Sequence, residues 1–170
     1  AAPAASAYPA AARAVISLEA HAAANARLTA WAEFARTPTV ALDGVAKAVG
    51  VAEVLACACD PCEGRRSTPE LAASDDERVG VLFLLEGDEH LAHRDRRLRL
   101  RSGQFTLWSS ARSLDFHVVA PLRKLTLLLP AEVASVVPAQ HLDRAFDATR
   151  GCAALVLAQL TALSTLDALE

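Results

Sequence analysis

The sequence predicts an α+β domain: one helix, then a small antiparallel β-barrel, then two closing helices. Three observations predict it. The chain opens with an alanine-rich stretch free of Gly and Pro over residues 10–34. From Val51 onward, short β-prone runs alternate with turn residues. After Pro130 the apolar residues return to helical spacing.

Composition bounds the function. At 170 residues, 53% apolar and 22% charged, the chain has the size and apolar content of one domain with its own core. The net charge of −3 argues against a nucleic-acid-binding face, which normally carries a basic excess. No apolar run reaches membrane-spanning length. The opening residues also lack the continuous Leu- or Val-rich segment of a secretory signal, so a cytoplasmic location and no membrane partner are expected. Abundant Ala and a preference for Arg over Lys point to a GC-rich bacterial genome.

The first element is a helix over residues 10–34, with Val15, Leu18, Ala22, Leu28 and Trp31 near helical spacing and Thr37-Pro38 as its stop. Residues 40–49 fit either a short helix, through Leu42, Val45 and Val49, or a turn at Asp43-Gly44. Strands are then expected at 51–59 and 63–68, followed by a polar connection over 69–78. The stretch 79–93 places Val79, Val81, Phe83 and Leu85 at period two. Asp95-Arg96 makes a tight turn, and residues 97–101 alternate Arg with Leu. Ser102-Gly103-Gln104 turns again before a strand at 105–108, and 109–113 turns before strands at 114–119 and 122–129. Hairpin-length connections make these strands antiparallel neighbours. Helices are expected at 138–149 and 152–169, separated by Gly151. The second carries two apolar stripes, Val156/Leu160/Leu163 and Leu155/Ala162/Leu166/Leu169, enough to cover the barrel and also meet a partner.

Cys57, Cys59 and Cys62 form a cluster with one C-x-x-C pair, a spacing used by zinc and redox sites. On a strand, Cys57 and Cys59 share a face, so core thiols are the plain reading and a metal or redox site is the alternative. His90 and His93 are three apart, which sends them to opposite faces of a strand rather than to one metal. The Arg94 to Arg101 run alternates with Leu98 and Leu100 beside Glu86, Asp88, Glu89 and Asp95, the pattern of a solvated hairpin face. No nucleophile elbow, P-loop or dinucleotide fingerprint occurs, so no enzyme activity is expected.

The order of features carries a resemblance. Arg65-Arg66-Ser67-Thr68 is followed, after a polar gap, by Val79-Gly80-Val81-Leu82-Phe83-Leu84-Leu85-Glu86-Gly87. Then come Leu98-Arg99-Leu100-Arg101-Ser102-Gly103-Gln104-Phe105-Thr106-Leu107-Trp108, Ser110-Ala111-Arg112-Ser113 and Leu125-Thr126-Leu127-Leu128-Leu129-Pro130. This series, with Trp31-Ala32-Glu33 upstream, resembles the N-terminal sensor domain of AraC-family transcriptional regulators, the AraC-binding-like subgroup. Leu114 stands where that family often has a proline.

The resemblance implies a cupin-like, jelly-roll barrel that binds a small-molecule effector and homodimerises through its C-terminal helices. No cofactor is implied, and DNA would be reached only through an attached helix-turn-helix domain beyond Glu170. The corresponding division is a helical segment over 1–36, the barrel over 37–132 and a dimerising helical pair over 133–170. Candidate effector contacts are Arg66, Phe83, Trp108, Phe116 and His117. Candidate dimer contacts are Leu155, Val156, Gln159, Leu160, Leu163 and Leu166. The alternatives are a cupin-like metalloenzyme, or a thiol-based redox or metal sensor at Cys57, Cys59 and Cys62, with Cys152 as a further thiol.

Overall fold

The computed structural model describes residues 42–66, 78–93 and 96–165. The expected N-terminal helix, the 67–77 connection, Arg94, Asp95 and the end of the last helix lie outside the described residues.

Two facing antiparallel sheets make the body of the domain. One has six strands, in the order β1 (Leu42–Val49), β2 (Ala52–Cys59), β9 (Leu122–Pro130), β4 (Arg78–Glu86), β7 (Gln104–Ser109) and β10 (Phe146–Asp147). The other has four: β3 (Cys62–Arg66), β8 (Leu114–Val118), β5 (Asp88–His93) and β6 (Arg96–Arg101). The facing sets β2-β9-β4-β7 and β3-β8-β5-β6 have the strand order of a double-sheet jelly roll. The expected closed barrel is corrected by this arrangement. Among the described residues, β1 and β10 remain edges of one sheet, and β3 and β6 edges of the other.

Side-chain alternation sorts the core into two layers. Leu55, Leu82, Leu84, Leu100, Trp108, Val118, Leu122 and Leu128 fill the space between the sheets. Val54, Ala56, Phe83 and Leu125 point the other way and are roofed by Ala148 and Leu160. Leu160 belongs to α2 (Gly151–Thr165), which follows the four-residue α1 (Ala131–Ala134). On that roofed face the rings of Phe83, Phe105 and Phe146 stack in a row, with centroids 5.2 Å apart at each step. They do so because Phe83 and Phe146 both pair in register with Phe105.

Three elements differ from expectation. Residues 42–49 are neither helix nor turn, but strand β1, in register with β2 from Leu42↔Cys59 to Val49↔Ala52. Gly50, at φ +61°, makes the tight turn between them. The stretch 79–93 is two strands, broken at Gly87 with φ +98°. A Cβ at Gly87 would lie 2.7 Å from Leu122 Cβ, so only glycine fits this crossing between the sheets. The helix expected over 138–149 is a 3-10 turn (Ala139–His141) and then strand β10. Its backbone goes to the open edge of β7 instead: Asp143 N donates to Leu107 O at 2.8 Å, and Ala148 N to Gly103 O at 2.8 Å. Asp143 adopts φ 57°, which no helix accommodates. Among the described residues one long C-terminal helix remains, not a pair.

Candidate functional site

Strand β9 builds the site, because its alternation puts charge into the core. Leu125 and Leu127 face the roofed layer, while Lys124 and Thr126 face the other sheet. Across the gap β5 presents Glu89, from a row whose other members, Cys62, Val118 and Leu100, are all buried apolar residues. Lys124 is 8% exposed and Glu89 1% exposed. The Lys124 Nζ donates to Glu89 Oε1 at 2.6 Å, and it lies 5.9 Å from the centre of the Phe116 ring.

Burial disfavours the Lys124 charge, but the carboxylate of Glu89 and the Cys57 sulfur outweigh it and hold the ammonium above the usual lysine range. The second oxygen of the carboxylate, Glu89 Oε2, is buried and has no hydrogen-bond partner among the described residues. A buried polar atom left without a partner costs about 1–3 kcal/mol, more when charged, so it marks a place where a donor is expected.

The three thiols line the same interior. Cys57 and Cys59 share the inward face of β2, with Cys57 in register with Lys124. Cys62 follows after the two-residue connection Asp60-Pro61. The neighbouring Cys59 thiol, aided by the Lys124 charge, holds the Cys57 thiol below its ordinary range against the cost of burial. The Cys57 neighbour and burial push Cys59 up to about 12, and the Cys59 neighbour together with burial moves Cys62 further up. No group of three or more His, Cys, Asp or Glu residues with metal-holding geometry occurs among the described residues.

A second concavity, a groove of about 440 Å³, lies on the opposite face of the four-stranded sheet. Ala92 leaves the space at its centre, and His90, His117, Arg97, Arg99, Glu63 and Asp115 surround it. The His90 and His117 rings meet edge-on, 6.1 Å apart. Arg99 pairs with Asp88, holding that carboxyl below its usual range. The Arg-Leu alternation of β6 is resolved here: Leu100 is fully buried, while Arg97, Arg99 and Arg101 are exposed.

The expected effector contacts are dispersed. His117 and Phe116 line the groove, and the Phe116 ring also reaches Lys124. Phe83 lies in the roofed layer, away from the inter-sheet space. Trp108 sits inside on Gly80, where a Cβ would come within 2.1 Å of the indole. Arg66 ends β3 opposite Leu114. His93 turns away from His90 and its Nδ1 meets Ser113 O at 2.5 Å. On α2, Leu160 is buried in the roof, while Leu155 is 70% and Val156 39% exposed. Gln159 is exposed, Leu163 half-buried, and Leu166 outside the described residues.

Lys124 is not singled out by the sequence, and the expectation that Glu89 belongs to a solvated hairpin face is corrected here: it is 1% exposed and pairs in register with the buried Val118 and Leu100. Their signal was present: each is a charge at an apolar-face position of an alternating strand.

Comparison with known proteins places the chain. The AraC-binding-like domain family matches residues 9–170. No curated protein matches the sequence. Among solved structures, the AraC-like transcriptional activator CuxR superposes with a TM-score of 0.63 at 13% identity, over 73% of this chain and 46% of that one. This chain thus spans less than half the length of that activator. A Cupin_2 domain of an XRE-family transcriptional regulator from Enterobacter cloacae gives 0.43 at 6% identity, over 53% of this chain and 95% of that one. A putative ethanolamine utilization protein Q from Salmonella typhimurium gives 0.42 at 16% identity, over 54% and 70%.

Proposed function

This chain belongs to the AraC-binding-like domain family, and we propose that it is the effector-sensing and dimerisation domain of a bacterial AraC-type transcription regulator. The family match over residues 9–170 carries the reading. The domain binds a small molecule and catalyses nothing. Residues 37–132 hold the sensing unit, and 133–170 hold the dimer helix. It works in the cytoplasm and reaches DNA through a helix-turn-helix domain outside residues 1–170.

The effector occupies the polar centre between the sheets. The supporting observation is Glu89 Oε2, a buried acceptor without a donor beside a buried ammonium. A small polar molecule bearing a hydroxyl or amine supplies that donor, and Phe116 offers an apolar flank.

Strand β9 supplies the coupling. Lys124 faces the effector side, and the next residue, Leu125, packs in the layer roofed by Leu160 of α2. A shift of β9 on binding therefore reaches α2, and with it the outward pair Leu155 and Val156 that meets a second copy. The effector biases the pairing only to the extent that it binds one arrangement better than the other.

A thermal-denaturation screen of small polyols, amino acids and amines tests the effector site. A compound that raises Tm in the wild type and fails to in Glu89→Gln supports it. A compound that stabilises both equally, or acts only through His90 and His117, places the effector in the outer groove instead.

A further inference from the structure

We propose that the outer groove of the four-stranded sheet binds a short zwitterion, with its ammonium at Glu63 and its carboxylate at Arg97. This ligand is additional to the effector between the sheets. It meets the face of the sheet turned away from Lys124 and Glu89, so the two readings fail separately.

Strand register builds the groove. One row across it runs Glu63, His117, His90 and Arg99, from β3 to β6. The adjacent row sets Asp115, Ala92 and Arg97 side by side. Alternation turns both rows to the outer face, because their chain neighbours Leu91, Leu100 and Val118 are buried in the other direction. Ala92 is the small member of its row, and the space it leaves between Asp115 and Arg97 opens the groove. At about 440 Å³ that space is of the size that holds a small molecule.

The charges decide what fits. Asp88 accepts from Arg99 Nε at 2.8 Å and lies 3.4 Å from His90 Nε2. Asp115 is engaged as well. Glu63 and Arg97 are exposed, and neither has a hydrogen bond or ion pair among the described residues. They line opposite ends of the groove, an acid on β3 and a base on β6. A ligand of one sign would be attracted at one end and repelled at the other, whereas a zwitterion gains at both. The two strands stand three spacings apart, about 14 Å. Both side chains line the space between, so ligand charges about 7–10 Å apart meet them, the length of two to three extended residues. The edge-on rings of His90 and His117 stand between the ends, where their nitrogens can hydrogen-bond the ligand's peptide groups.

Diglycine and triglycine are the probes, titrated by NMR into the isotope-labelled chain at low ionic strength, where exposed charges are least screened. Saturable shifts of the Ala92 and His117 amides are expected at millimolar peptide. Acetylating the amino terminus or amidating the carboxyl terminus should each weaken binding about 5-fold. Glu63→Gln should remove the penalty for acetylation and keep that for amidation, and Arg97→Gln should do the reverse. Ala92→Leu, which fills the groove from its outer face, should abolish binding of both peptides. Each variant is checked by its thermal transition, and if Ala92→Leu does not fold, the two charge variants decide. No saturable shift with either peptide up to about 20 mM overturns the proposal. So do blocked peptides that bind as well as the free ones, penalties that persist unchanged in both charge variants, or a folded Ala92→Leu chain that binds like the wild type.

Discussion

Replacing Lys124 by Met removes the ammonium and keeps most of the side-chain volume. The partner it leaves, Glu89, is 1% exposed, and its second oxygen is already without a hydrogen bond. Losing the 2.6 Å contact strands a carboxylate in the core, at a cost of about 3–5 kcal/mol, against about 5–15 kcal/mol for a typical domain's whole stability. In the wild type the lysine is held above its unfolded value, so its contribution is complete below about pH 10.4 and lost only as pH climbs through the higher folded value. Urea denaturation of Lys124→Met, Glu89→Leu and the double variant at neutral pH is the assay. The double variant should be more stable than Lys124→Met, because no charge is left behind. A Lys124→Met protein within about 1 kcal/mol of the wild type would refute the buried pair.

Other substitutions test the remaining layers. Gly80→Ala sets a Cβ against the Trp108 indole at 2.1 Å, so a loss of about 1–3 kcal/mol and a changed tryptophan emission are expected. Unchanged emission with full stability would contradict that packing. Leu160→Ala empties the roof over Phe83 and Leu125, which should cost about 2–5 kcal/mol in denaturant titration. A cost near zero would detach α2 from the sheet. Gly87→Ala strains a φ of +98° and crowds Leu122, so a lower Tm is expected, and an unchanged one would argue against the tight crossing there.

The strands were legible because each carries its own period-two signal: Leu98 and Leu100 against the arginines of β6 need no outside information. β1 was not, since Asp43, Gly44 and Lys47 disfavour a strand and only pairing with β2 makes one. The segment before α2 failed for the reverse reason. Its residues tolerate helix locally, but the open edge of β7 takes its backbone hydrogen bonds. Sheet closure is likewise a matter of which edges pair, and alternation within a strand carries no record of that.

The site was half legible for a related cause. Cys57, Cys59 and Cys62 stand out in any reading of the chain, and their shared interior follows from strand parity. Glu89 and Lys124 lie 35 residues apart and become a pair only when two sheets face each other. Phe83 is an expected effector contact, yet its parity with Val81 and Leu85 fixes only that the three share a face, not which layer that face meets.

Sedimentation of the chain at tens of micromolar, beside Leu155→Glu, tests most directly whether this is a dimerising regulatory domain. The account predicts a wild-type dimer and a Leu155→Glu monomer that still unfolds cooperatively, because Leu155 is 70% exposed in the single chain and supports no fold of its own. A monomeric wild type, or a dimer that Leu155→Glu leaves intact, would contradict it.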